Sequence, residues 1–158
     1  MRNTGKWIGV GVVALGLLVG CKPAGEKPPE PATTEARDLE NLDPKSLYEV
    51  ELKAPEGLSA GDEGILTLAI RPKEGAEVKP ETPLRAQVEA KGGLSTEKTR
   101  LAYADHARVE GKGPVFEIPV KAEGAGEGEV EVDLDFYVCI AELCLKTGEK
   151  LKTTTSIQ

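Results

Sequence analysis

From Tyr48 onward the chain alternates. Tyr48, Val50 and Leu52 fall at every second position, as do Leu66, Leu68 and Ile70. The same spacing recurs in Leu84, Ala86, Val88 and Ala90, and again in Phe116, Ile118 and Val120. It is clearest in GEVEVDLDFYVC, where Val130, Val132, Leu134, Phe136 and Val138 interleave with Glu129, Glu131, Asp133, Asp135 and Tyr137. A period of two puts one set of side chains against a core and the other in water, which is the pattern of a half-buried strand. A last strand is expected near Lys150 to Ile157. Glycine and proline punctuate these runs, and no segment keeps a helical period. Short alternating strands with turn signals between them predict an all-β fold. About seven strands in residues 46–158 suit an immunoglobulin-like β-sandwich. With only 2 Phe, 3 Tyr and 1 Trp, its core must be mainly Val, Leu, Ile and Ala.

Ahead of this domain the pattern changes. Residues 22–45 read KPAGEKPPEPATTEARDLENLDPK, with Pro23, Pro28, Pro29, Pro31 and Pro44 and no aromatic residue. Such a segment buries too little apolar surface to offset its ordering entropy, and proline favours extended backbone. It is expected to be a disordered tether. Earlier still, Arg2 and Lys6 precede an uncharged run from Trp7 to Gly20. That run is short of the ~20 apolar residues of a membrane span, and it has the form of a secretory signal peptide.

The run ends Leu18-Val19-Gly20-Cys21, which resembles a bacterial lipobox. The resemblance implies cleavage before Cys21 and acylation of that residue. The expected organisation is a lipoprotein signal peptide over 1–20, a lipidated Cys21 and tether over 21–45, and the sandwich over 46–158. Several acyl chains on one residue hold a protein stably on a membrane. The domain would then lie in the cell envelope, facing the periplasm, where disulfides persist. Lys22 after the cysteine resembles outer-membrane sorting in Gram-negative bacteria.

Charge narrows the partners. The chain has 20 basic and 27 acidic residues, a net −7. Without Arg2 and Lys6 the balance is 18 against 27, or −9. Phosphate backbones reward clustered Lys and Arg, so nucleic acid is not an expected partner.

With Cys21 assigned to the anchor, two of the 3 cysteines remain, Cys139 and Cys144. They could be a structural staple, a redox pair or metal ligands. Continuing the alternation places Cys139 on the acidic, outward face. Ile140 to Leu143 would form a four-residue hairpin loop. Cross-strand neighbours have Cα atoms ~4.5–5.5 Å apart, inside the disulfide range of ~4.4–6.8 Å. A hairpin already closes this loop, so a staple is partly redundant, and exposed disulfides tend to be the exchangeable ones. Lys146 and Lys150 would favour a thiolate, while Glu142, Asp135 and Tyr137 would oppose it. His106, in YADHARVEG, could join the cysteines around copper(I), yet it reads more simply as a loop residue. Structural zinc needs four ligands, so no metal site and no cofactor are assigned. CxxC, GxSxG, P-loop and HExxH motifs are absent.

The tail FYVCIAELCLKTGEKLKTTTSI resembles the N-terminal periplasmic domain of the thiol–disulfide interchange protein DsbD. The stretch EGAEVKPETPLRAQVEAKGGLS is similar to the middle of such domains. Lys146 departs from the pattern, standing where relatives often carry proline. The resemblance implies an immunoglobulin-like fold in which the second cysteine attacks a partner's disulfide and the first resolves the product. Carried over by position, Cys144 attacks and Cys139 resolves. The expected partner is another extracytoplasmic thiol or disulfide protein. The competing expectation is a non-catalytic binding or envelope-structure module in which the pair only braces a hairpin.

Overall fold

The computed structural model describes residues 41–158. Cys21, the lipobox and residues 22–40 of the tether lie outside the described residues. Asp43 accepts a hydrogen bond from the Lys45 amide and opens a single 3-10 turn, Pro44–Leu47. Ten strands follow: β1 Tyr48–Lys53, β2 Glu63–Pro72, β3 Ala76–Glu77, β4 Arg85–Gly92, β5 Leu94–Ser95, β6 Arg100–Ala102, β7 Arg108–Glu110, β8 Gly113–Ala122, β9 Gly126–Ile140 and β10 Leu143–Ile157. A second 3-10 turn, Tyr103–Asp105, separates β6 from β7.

The strands form two five-stranded sheets. One runs β1-β2-β8, with β5 and β7 both on the far side of β8. The other runs β10-β9-β4-β6, with β3 beside the end of β9. All pairings between these strands are antiparallel. The order β1-β2-β8-β7 matches the A-B-E-D sheet of an immunoglobulin sandwich, and β4, β9 and β10 of the opposed sheet match its C, F and G strands. The strand order alone therefore makes this an immunoglobulin-like β-sandwich.

The alternating residues form the core. Leu66, Leu68, Ile70, Phe116 and Ile118 from one sheet meet Val88, Val132, Leu134, Phe136 and Val138 from the other, all at most 4% exposed. Val50, Leu52 and Ala90 are half-buried against the same cluster. Tyr48 packs edge-to-face on Phe136, ring centroids 4.8 Å apart. The last strand differs from expectation. It begins at Leu143 rather than near Lys150 and pairs with β9 residue for residue down to Ile157.

The acidic face of β9 is ion-paired. Glu131 stands directly opposite Glu89, and Lys91 offsets that repulsion with contacts of 2.7 Å to Glu131 and 3.5 Å to Glu89. The Lys91 hydrogen bond holds the Glu131 carboxyl below its usual range. From β10, Lys152 reaches Glu129 at 2.6 Å and Lys150 reaches Asp133 at 3.1 Å.

Candidate functional site

The two long strands β9 and β10 converge on a hairpin whose turn is only Ala141 and Glu142. The expected four-residue loop is thus shorter, because Ile140 and Leu143 pair with each other. Ala141 makes the sharp reversal with a φ of 50°. Cys139 and Cys144 stand opposite each other one step below. They are joined by a disulfide with Cα atoms 4.0 Å apart, closer than the spacing expected from cross-strand geometry.

The parity of Cys139 is as expected, since the register runs unbroken and Cys139 shares the face of Tyr137 and Asp135. Its exposure is not. Cys139 is 0% exposed, although its neighbours on that face are half-buried or exposed. The cause is lateral cover. Strand β3 adds to the other side of β9 at this end, placing Glu77 opposite Cys139. Cys139 is therefore enclosed between Glu77 and Cys144. Cys144 sits on the outermost strand and stays half-buried.

The strand that encloses Cys139 was not evident in the sequence. Its signal is small: Gly75 turns with a φ of 81°, then Ala76 and Val78 alternate inward around Glu77. The Val78 amide donates to the Lys112 carbonyl and anchors the segment to the opposite sheet's β7–β8 turn. The Lys79 ammonium bridges outward, 3.6 Å from Glu77 and 3.5 Å from the Ala141 carbonyl in the hairpin turn.

The charges around the pair differ from the expected set. Lys150 is taken by Asp133 and lies six residues along β10 from Cys144, ~20 Å away at ~3.3 Å per residue, so it does not serve the thiol. Lys79 takes its place near the turn. Lys146 is exposed and shares the face of Cys144, opposite Tyr137. Two carboxylates, Glu77 and Glu142, balance two ammonium groups. Such a mixture does not concentrate the positive charge that strongly acidifies a thiol.

His106 is not brought to the cysteines. Its Nδ1 lies 2.7 Å from the Tyr103 carbonyl and its ring leans on Tyr103. Among the described residues no three His, Cys, Asp or Glu side chains gather as a metal site. The copper arrangement of Cys139, Cys144 and His106 is therefore not formed. A groove of ≈ 610 Å³ along the outer face between β4, β9 and β10 is lined by polar groups, among them Gln87, Glu89, Arg100, Glu131 and Asp133.

No family model matches the chain, and no curated protein matches it. Among solved structures it is similar to native alpha-2-macroglobulin from Escherichia coli, in a crystal structure from domain MG7 to the C-terminus. The identity is 18%, covering 70% of this chain and 16% of that one, with a TM-score of 0.48. The trypsin-activated form of the Escherichia coli protein gives 21% identity over 68% of this chain and 7% of that one, TM-score 0.43. WR4, an MSP family member of C. elegans, gives 11% over 69% and 97%, TM-score 0.38. This chain spans a sixth or less of the macroglobulin chains.

Proposed function

We propose that this protein is a lipid-anchored thiol–disulfide exchange protein of the cell envelope. In this reading Cys21 carries the anchor, Cys144 attacks, Cys139 resolves, and the domain is similar in role to the N-terminal domain of DsbD. The observation that supports it best is the unequal setting of the two sulfurs. Cys144 is half-buried on an edge strand, while Cys139 is wholly enclosed between β3 and β10. One sulfur is within reach of a partner and the other only of its neighbour, which is the division of labour that exchange requires.

In the reduced protein, the Cys144 thiolate attacks a partner disulfide, and the partner's displaced sulfur leaves as a thiolate. The Cys139 thiol loses its proton and attacks the Cys144 sulfur. This releases the partner's second thiol and restores the Cys139–Cys144 disulfide. Two electrons pass from the pair to the partner, and an extracytoplasmic dithiol protein must return them.

The deciding measurement is the reduction potential of the pair in the full chain, by equilibration in thiol buffers. An exchanger is expected between ~−120 and −270 mV. A value below ~−300 mV would mean a brace, and would leave the binding or envelope-structure role in its place.

A further inference from the structure

Among the described residues β10 is an edge strand, and its geometry selects how a partner approaches. In an antiparallel ladder, narrow pairs with Cα atoms ~4.5 Å apart turn their amides and carbonyls away from each other. The Cys139–Cys144 pair, at 4.0 Å, is of this kind, and it follows the closing pair Ile140–Leu143 of a two-residue turn. The N–H and C=O of Cys144 therefore point away from β9, to the outer edge. Two residues on, the same holds for Lys146, opposite Tyr137. Among the described residues, the backbone bonds made outside the strand ladders involve none of residues 143–156. Among the described residues, the 3-10 turn and the start of β1 reach β10 further along, where Lys45 contacts Glu149 and Tyr48 contacts Thr147.

We infer that the edge of β10 at Cys144–Lys146 receives an extended segment of the partner as an added antiparallel strand, with its cysteine opposite Cys144 and an acidic residue two positions before it. This rests on the exchange reading above. A residue hydrogen-bonded across the edge from Cys144 has its Cα ~5.5 Å away, within the ~4.4–6.8 Å that a disulfide spans. It would also share the face of Cys144, so the two sulfurs would meet without rearrangement of the sandwich. Charge defines the rest of the segment. Among the described residues, Lys150 and Lys152 of β10 have acidic partners on β9, whereas Lys146 faces Tyr137 and makes no ion pair. An antiparallel strand with its cysteine opposite Cys144 places its second preceding residue opposite Lys146. The motif is Glu-x-Cys or Asp-x-Cys in an extended segment. The chain's own Glu142-Leu143-Cys144 has the same spacing, but Glu142 lies in the hairpin turn, outside β10, so a second copy does not present it within an added strand.

The test uses the full chain, pre-reduced, and short cysteine peptides activated as 2-pyridyl disulfides, with exchange followed by release of pyridine-2-thione. The parent peptide carries Glu-x-Cys. One variant is N-methylated at the cysteine, whose amide faces Cys144, and another at the residue after it, whose amide faces away. Strand addition predicts that the first methyl slows exchange about fivefold, the cost of one hydrogen bond, and that the second leaves the rate unchanged. It also predicts that Glu-x-Cys outpaces Lys-x-Cys, and that this ratio inverts in Lys146→Glu. Equal rates for the two methylated peptides, or a ratio that Lys146→Glu leaves unchanged, would overturn the added strand while leaving exchange intact. Failure of every peptide and of free 2,2′-dithiodipyridine to oxidise the pair would overturn the exchange reading and this one with it.

Discussion

The Tyr48 hydroxyl lies 2.7 Å from Thr147 Oγ1 and donates to Glu149 Oε1 at 2.9 Å, joining the first strand of one sheet to the last strand of the other. Having given its one proton to Glu149, it accepts from Thr147. Burial, opposed in part by the Thr147 bond, pushes the Tyr48 phenol up to about 12. The folded protein thus keeps a proton that the unfolded chain releases near pH ~10. The stability this provides is complete below that pH and is lost as pH rises towards 12, by at most ~1.4 kcal/mol per pH unit. Urea unfolding from pH 8 to 11.5 should show that decline, and Tyr48→Phe should flatten it. At pH 7 the same variant should cost about 1 kcal/mol for the lost hydrogen bonds. An unchanged alkaline slope in Tyr48→Phe would assign the decline to other groups.

The disulfide should contribute modestly to stability. Its two cysteines are 5 apart in sequence, and the chain-entropy relation gives about 2 kcal/mol for so short a loop. The paired strands β9 and β10 already hold the ends together, which lowers the figure further. The reduced protein should therefore stay folded at 25 °C, with its urea midpoint shifted down. Loss of the near-ultraviolet circular dichroism on reduction would show that the bond is needed for the fold.

Ala141 is the one residue other than glycine with a positive φ among the described residues, at 50°. Left-handed backbone costs a residue with a Cβ roughly 1–2 kcal/mol, and glycine escapes this. Ala141→Gly should raise stability by up to about 1 kcal/mol, part of the gain being offset by the freer unfolded chain. Thermal unfolding checks this, and a lowered midpoint would refute it.

Gly113 opens β8 where that strand passes Ile70. A Cβ there would come within 2.0 Å of the Ile70 carbonyl oxygen and 2.5 Å of the Pro72 ring. Backbone cannot yield as a side chain tip can, so Gly113→Ala should cost about 1–3 kcal/mol, the range for an overpacked site. Gly111, by contrast, has nothing within 4 Å of a built Cβ, and its φ of 61° makes Gly111→Ala a test of conformation alone.

Much of the sandwich could be read from alternation because burial on one face imposes a period of two. Leu66, Leu68 and Ile70, or Val130 to Val138, announce themselves in this way. The two- and three-residue strands β3, β5, β6 and β7 could not, since a period needs several repeats to register. This gap explains the misjudged exposure of Cys139. Its face followed from counting along β9, but its cover comes from β3, whose pairing is settled by tertiary contacts such as Val78 to Lys112. The hairpin's length was misjudged for a related reason: Ala141 does not carry the glycine that usually marks a two-residue turn. The ion pairs of Lys150 and Lys152 required the register of β10, which follows from where the turn falls.

The clasp between Tyr48 and Thr147 also fixes where the chain enters the domain. Lys45 and Tyr48 touch Glu149 and Thr147, three to five residues along β10 from Cys144, or ~10–17 Å at ~3.3 Å per residue. The far end of the same hairpin, where Gly126 faces Ile157, is ~40 Å from the cysteines by the same measure. Lys45 is thus pinned nearer the cystine end of the β9–β10 ladder, whereas Gln158 closes the described chain at the opposite end, so the two ends of the described residues are separated along one hairpin.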